Sequence, residues 1–256
     1  MGMTIELPSP PLPRSGERWA IFLDIDGTLV GFRDDPALVT LDASVLDLIG
    51  RIRDRHEGAI GILSGRSLEQ VDALLDPLCL PSGALHGLEL RDPSGALSLR
   101  RPSPGVAAAV DAQVQRALPG LRGVALERKS GINFALHFRT APHQGLAAGL
   151  VAEDIARASS GEYEVQPGDG VVELKPAGSN KGLAMQSLMA HATFRGRRPV
   201  VVGDDLTDEQ AFAAASDMGG FGVVVGMRTP TSAAYRLPDP HAVHAWLARL
   251  AAPEPT

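Results

Sequence analysis

The 256-residue chain contains a single cysteine, Cys79. It can form no internal disulfide and supply no cysteine-rich zinc module. Flanked by Leu78 and Leu80, the thiol is expected to be a small buried hydrophobe. A basic excess is also missing: 24 Lys and Arg stand against 30 Asp and Glu, a net charge of −6. That excludes a basic stripe for nucleic acid. Apolar runs such as Ala20-Ile21-Phe22-Leu23 and Val200-Val201-Val202 are brief, whereas a membrane-spanning helix needs roughly 20 apolar residues. The N-terminus lacks a basic-then-apolar signal pattern, and Glu6 stands where N-myristoylation requires Ser or Thr. The expectation is a cytoplasmic protein with a flexible, proline-rich leader over 1–16. At 44% hydrophobic and 21% charged residues, the remainder can bury an ordinary core.

Where apolar residues cluster, strands alternate with helices. Trp19–Leu23 reads as a buried strand, and Asp42 to Gly58 as a helix striped by Val45, Ile49 and Ile52. Ala59–Leu63 is the next strand. Ser67 and Gln70 form a capping box ahead of a helix carrying Val71, Leu74, Leu75 and Leu78. This rhythm implies βαβ units and a parallel sheet covered on both faces. A hairpin is expected around Asp92-Pro93-Ser94-Gly95. Beyond Arg101 the order changes to helix-strand-strand, twice, with strands at Val124–Lys129, Ile132–Phe138, Tyr163–Gln166 and Val171–Lys175. After Pro176 the βα rhythm returns, including a helix over Thr207–Ala215 capped by Thr207 and Gln210. The fold class is therefore α/β: a doubly wound, Rossmann-like parallel-sheet core over 17–101 and 177–256, with an α+β unit inserted at 102–176.

In an open parallel sheet, ligands bind beyond the carboxyl ends of the strands. Asp24 and Asp26 follow the first strand, Ser64 the second, and Asp204 and Asp205 the strand at 199–202. Acidic residues closing two buried strands on one edge call for positive charge between them. A divalent cation supplies it, and hard oxygen ligands without a His or Cys cluster select Mg²⁺ over Zn²⁺. Asp24, Asp26, Asp204 and Asp205 are candidate ligands. Asp208 is a further candidate for the inner or outer coordination shell, and is equally placed to act as a helix-N-terminal charge. An ordinary carboxylate such as Asp24 is ionised at pH 7 and needs no base to be a nucleophile, provided a cation offsets its repulsion from a phosphate dianion. Asp26, two residues on, can protonate a leaving oxygen and later activate water. Ser64 and Lys181 can donate to phosphoryl oxygens. Ser64 lacks the Gly-x-Ser-x-Gly context of a nucleophile elbow, and Ser179-Asn180-Lys181-Gly182 lacks P-loop spacing.

Asp24-Ile25-Asp26-Gly27-Thr28-Leu29 after a buried strand, then Ser64, Lys181 and Gly203-Asp204-Asp205, resemble in that order the haloacid-dehalogenase-like phosphohydrolases. The resemblance implies a doubly wound core, Mg²⁺ dependence and an aspartyl-phosphate intermediate. Ser64-Gly65-Arg66, Glu127-Arg128-Lys129, His137-Phe138-Arg139, Glu173-Leu174-Lys175-Pro176, Asn180-Lys181-Gly182 and the run from Gly203 to Glu209 are similar to motifs of the trehalose-6-phosphate phosphatases. This narrower resemblance covers roughly Trp19 to Leu250. It implies that the inserted unit is a cap closing over a sugar, that Glu127, Lys129, Arg139 and Glu173 contact that sugar, and that His137 and Arg66 also bind substrate. Phe138, often tyrosine in relatives, departs mildly. The charges themselves agree: Glu127 and Lys129, His137 and Arg139, and Glu173 and Lys175 alternate along three strands, and sugar hydroxyls both donate and accept.

The expected reaction is hydrolysis of trehalose 6-phosphate to trehalose and phosphate. Another sugar phosphate, such as sucrose phosphate or a mannosyl-glycerate phosphate, would leave the core motifs unchanged. A sugar-phosphate sensor without turnover is expected to lack Asp24 or Asp26, and both are present. The expected partner is a small sugar phosphate, with no nucleic acid, no membrane, and a monomeric chain.

Overall fold

A computed structural model describes residues 7–31, 39–103 and 105–252; Glu6 lies outside them. The chain divides into two compact units, one of 1–98 with 180–256 and the other Leu99–Ser179. The inserted unit thus extends beyond the expected 102–176 at both ends.

The first unit is built on an eight-stranded sheet. Its strands are β1 (Trp19–Leu23), β2 (Ile60–Leu63), β3 (Ser82–Ala84), β4 (Glu89–Arg91), β5 (Leu97–Leu99), β10 (Arg198–Gly203), β11 (Phe221–Val225) and β12 (Tyr235–Leu237), in the order β12-β11-β10-β1-β2-β3-β4-β5. Strands from β12 to β3 run parallel, and β4 turns antiparallel on β3. The central strands β1, β2, β10 and β11 are covered on both faces and are accordingly apolar on both sides. Trp19, Ile21 and Leu23 face α1 (Ala43–Arg55), α2 (Leu68–Leu75) and α7 (Pro240–Ala251). Ala20 and Phe22 face α5 (Lys181–Met189) and α6 (Glu209–Asp217). The helix-period stripes Val45/Leu48/Ile49/Ile52 and Val243/Trp246/Leu247/Leu250 supply the helical side of the first layer. Among the described residues, no helix is long and apolar enough to cross a membrane.

Two short strands are added to the expected set, and three local expectations are corrected. The short strands β3 and β12 have no apolar run to announce them; their pairing partners β2 and β11 make them strands. Residues 7–14 are held against the core rather than free: the Pro8 carbonyl accepts from the Arg236 amide and the Pro11 carbonyl from Trp246 Nε1, each at 2.9 Å. Proline-rich chain has few amides to satisfy, so carbonyl acceptors and Leu12, packed on the core, are enough to fix it. Cys79 is exposed, because after the Asp76-Pro77 turn Leu80 takes the inward position and Cys79 the outward one. Finally, Thr207 and Gln210 do not cap α6. Asp205 and Asp208 form the capping box, on a 3₁₀ turn at Leu206–Asp208 that precedes the helix.

The second unit is a four-stranded antiparallel sheet, β6 (Ala125–Lys129), β7 (Asn133–His137), β9 (Val171–Pro176) and β8 (Tyr163–Gly168) in that order. Helices α3 (Val106–Ala117) and α4 (Gly145–Ala158) supply the rest of its core, where Val110, Val114, Ala148, Ala152 and Ile155 meet Phe134, Leu136, Val172 and Leu174. Strand alternation sends the intervening residues to the opposite face. Register places Glu127 and Glu173 on either side of Ala135 on that face, and Lys129 opposite Asn133.

Candidate active site

At the carboxyl edge of the large sheet, Asp24 continues β1, its amide bonded to the Val202 carbonyl at 3.0 Å. The residue is 4% exposed. Asn180 caps α5, accepting from the Leu183 amide at 2.8 Å, so that Lys181 is the first helical residue and points into the site. Its Nζ donates to Asp24 Oδ1 and Asp208 Oδ1, both at 2.8 Å. Gly182 must be glycine for α5 to sit so close to α6, since an added Cβ would lie 2.5 Å from the Gln210 carbonyl oxygen.

Carboxylate oxygens of Asp24, Asp204 and Asp208 all lie within 4.8 Å of one another. Asp204 nests in the crook of the loop after β1, against Gly27, which has φ +78°. Asp208 is fully buried; its second oxygen accepts the amides of Asp204 and Asp205, each at 3.0 Å. One ammonium therefore faces three carboxylates. Burial drives the Asp24 carboxyl well above the usual carboxylate range, with Lys181 opposing and Asp208 and Asp204 adding to the rise. Burial likewise pushes Asp204 up to about 7, reinforced by Asp208 and opposed by Lys181. Burial alone would lower Lys181, but the Asp208 and Asp24 charges outweigh it and raise the lysine instead. Asp204 Oδ1 is buried with no hydrogen-bond partner among the described residues. An orphaned buried oxygen inside a surplus of carboxylates fits a bound divalent cation with oxygen ligands.

The five-carboxylate ligand set expected from sequence is not gathered whole. Asp26 is gripped by Arg66 through two bonds of 2.7 Å, to Oδ2 from Nε and to Oδ1 from a terminal nitrogen. Arg66, expected on substrate, is thus committed to a carboxylate of the site. Asp205 turns away: its Oδ1 accepts from the Leu206 amide at 2.6 Å and from Arg228 at 3.2 Å. Ser64, at the end of β2, is 1% exposed, and its Oγ accepts from the Arg66 amide at 3.2 Å.

Sequence reading passed over two contributors to this edge. The Leu85 and His86 amides bond to the carbonyls of Arg66 and Ser64, and both residues hold left-handed backbone, φ 46° and 55°. The His86 ring lies where a Cβ on Gly65 would be, 2.8 Å away. The unread strand β3 hid this loop, and a His-Gly pair after a Gly-Ala was its only signal. Arg228, which no motif marks in the sequence, reaches the Asp204 carbonyl at 3.3 Å.

In the inserted unit, the polar face of the sheet collects most of the remaining candidates. Lys129 Nζ donates to Glu173 Oε1 at 2.6 Å, Asn133 Nδ2 donates to Glu173 Oε2 at 3.0 Å, and His137 Nε2 meets Glu127 Oε2 at 2.9 Å. The His137 bond, with Lys129 nearby, holds the Glu127 carboxyl below the usual range despite its partial burial. Arg139 lies beyond the strand end, donating to the Asp169 carbonyl at 3.0 Å. Lys175 shares the face by register but is buried, its Nζ bonded to the Ser179 carbonyl and to Glu164 Oε1 at 2.9 Å.

A doubly wound sheet with an acidic cluster at its carboxyl edge and an inserted α+β unit is the fold of the haloacid-dehalogenase-like hydrolases. One such solved hydrolase, from Bacteroides thetaiotaomicron, superposes with TM-score 0.68 at 15% identity, over 91% of this chain and all of that one. The C. albicans trehalose-6-phosphate phosphatase C-terminal domain superposes with TM-score 0.81 at 21% identity, covering 97% of this chain and 99% of that one. Residues 22–241 match the trehalose-phosphatase family. The trehalose-6-phosphate phosphatase of Escherichia coli is 35% identical over 240 residues, 94% of this chain and 89% of its own. A trehalose 6-phosphate phosphatase of Zea mays is 29% identical over 92% of this chain and 70% of its own. The chain belongs to the trehalose-phosphatase family.

Proposed function

We propose that the protein hydrolyses trehalose 6-phosphate to trehalose and inorganic phosphate, with Mg²⁺ as cofactor. The observation that carries this reading is family membership over 22–241, a stretch that includes both the carboxylate cluster and the charged sheet face. Asp24, Asp204 and Asp208 would hold the ion, which when bound supplies positive charge against the phosphoryl group.

Asp24 attacks phosphorus in line, forming the aspartyl-phosphate as the bond to the sugar oxygen breaks. Lys181 Nζ and Ser64 Oγ donate to phosphoryl oxygens; Lys181 also holds Asp24 in one orientation. Asp26 gives its proton to the departing sugar oxygen, worth roughly 10²–10⁴ in rate for so basic a leaving group. The Asp26 carboxylate then takes a proton from water, whose oxygen attacks phosphorus and releases Asp24 and phosphate. Arg66 holds the ionised Asp26 in one orientation, its planar fork matching a carboxylate, and one of the two bonds opens when that oxygen carries the proton. Glu127, Lys129, His137, Arg139 and Glu173 recognise the sugar hydroxyls. Action as a cytoplasmic monomer is part of the same proposal.

The test is phosphate release from a panel of sugar phosphates, with Mg²⁺ and with a chelator. Trehalose 6-phosphate should be preferred, and only with the metal. Equal turnover of glucose 6-phosphate would remove the disaccharide from the reading, and a preference for sucrose phosphate or a mannosyl-glycerate phosphate would replace it.

A further inference from the structure

We propose that Arg228 is a positioning residue for metal binding: from the loop after β11 it braces the turn that carries Asp204, and so sets how much Mg²⁺ the carboxylate cluster needs to fill. This rests on the proposed metal dependence. The ladder between β10 and β11 ends at Gly203, opposite Val224. The next carbonyl, that of Asp204, therefore receives no donor from a neighbouring strand, and backbone carbonyls in folded chains are rarely left unpaired. Arg228, half-buried, supplies the donor. Its Nε reaches the Asp204 carbonyl at 3.3 Å, and a terminal nitrogen reaches Asp205 Oδ1 at 3.2 Å. One planar guanidinium thus spans two successive residues of the turn.

The brace is itself held. The Arg228 carbonyl accepts from Arg236 at 2.9 Å, and a second Arg236 nitrogen bonds the Gly226 carbonyl. Further along the same loop, the Ser232 amide donates to Glu209 Oε2 at 2.6 Å, at the start of α6. Asp204 is fastened on both sides of its Cα: its amide donates to Asp208 Oδ2 at 3.0 Å, and its carbonyl accepts from Arg228. That grip matters because Asp204 Oδ1 is buried with no hydrogen-bond partner among the described residues, so the backbone has to aim the carboxylate. Charge alone acts in the opposite direction. Deleting Arg228 removes a positive charge from the neighbourhood of a cation and uncovers the Asp205 carboxylate, and both changes would tighten cation binding. Loss of position would weaken it, by about tenfold at the lower end of what groups orienting metal ligands contribute. The sign of the change separates the two.

Thermal melts of the full chain across a Mg²⁺ titration, without substrate, provide the test on Arg228→Ala and Arg228→Lys. Arg228→Ala should need about tenfold more Mg²⁺ than wild type for the same Tm rise. Half-maximal phosphate release should move to higher Mg²⁺ by the same factor. Arg228→Lys keeps the charge but can reach only one of the two acceptors, so its Mg²⁺ requirement should fall between the two. A purely structural role would instead lower Tm equally at every Mg²⁺ concentration and leave the midpoint of the titration where it is. That result, or a Mg²⁺ requirement at or below that of wild type in Arg228→Ala, would overturn the proposal. If Arg228→Ala does not fold, Arg228→Lys decides: a raised requirement supports the brace, and an unchanged one refutes it. A wild-type chain whose Tm ignores Mg²⁺ would remove the metal reading and this inference with it, whereas a wild-type response retained in both variants removes the inference alone.

Discussion

Gly27→Ala should disable the site without unfolding the protein. Gly27 has φ +78°, and a Cβ added there would lie 2.0 Å from Asp204 Oδ2 and 2.3 Å from its Cγ. Ordinary contact begins near 3.4 Å, so the Asp204 carboxylate must retreat by more than an ångström. Two effects are superimposed. The left-handed backbone costs a non-glycine residue about 1–2 kcal/mol, a Tm loss of a few degrees in a chain of this size. Displacing Asp204 separates it from Asp24 and Asp208, and a misplacement of about 1 Å can cost roughly 10²-fold in rate. Gly16 separates the two effects: it has φ +83° and nothing within 4 Å of an added Cβ. Gly16→Ala should carry the same backbone penalty and retain full activity. Phosphate release and thermal melts with and without Mg²⁺, run on both variants, make the comparison. Wild-type activity and an undiminished Mg²⁺-induced Tm rise in Gly27→Ala would refute the placement of Asp204.

Metal-free protein should lose stability as pH rises from about 4 through about 7, because the Asp204 carboxyl, raised to about 7, keeps in the folded state a proton that the unfolded chain has released. A cation takes the place of that proton, so the Tm gain from Mg²⁺ should be larger at pH 8 than at pH 5; a gain independent of pH would count against the cluster as the metal site. Asp24→Asn should abolish turnover while the protein still melts cooperatively, and substantial residual activity would sink the covalent mechanism. Asp26→Asn should be severe on a sugar phosphate and milder on an aryl phosphate, whose leaving group needs no proton; equal losses would argue against the acid role. Glu127→Ala should lower kcat/KM for trehalose 6-phosphate roughly ten- to a hundredfold and barely affect p-nitrophenyl phosphate, whereas equal damage to both would remove Glu127 from sugar recognition.

Much of this architecture was legible before any coordinates, and the reason is locality. β1 is five consecutive buried residues, and Asp24 to Leu29 form a loop closed on itself, with the Leu29 and Val30 amides bonded to the Ile25 carbonyl. The Ser67–Gln70 capping box of α2 is likewise contained within four residues. Such patterns carry their own cause, so reading them needs no partner.

By itself, then, the amino-acid sequence determined the order of the longer strands and helices, the alternation of a βα rhythm with a helix-strand-strand segment, and which residue types follow the buried strands. Tertiary structure decided what those residues are bonded to. Asp205 and Asp208 look interchangeable along the chain. Arg228, contributed by a distant loop, and the 3₁₀ turn draw Asp205 outward and leave Asp208 fully buried beneath Lys181. Arg66 appears free for substrate until the fold sets it against Asp26, forty residues away in sequence. Asn133 falls inside the expected strand Ile132–Phe138, and only the neighbouring β9 shows that its side chain meets Glu173. Short strands such as Ser82–Ala84 exist only because a neighbouring strand receives them. Propensity and periodicity act over a few residues, while a carboxylate takes whichever donor the packed elements deliver, and that depends on contacts between segments far apart in the chain.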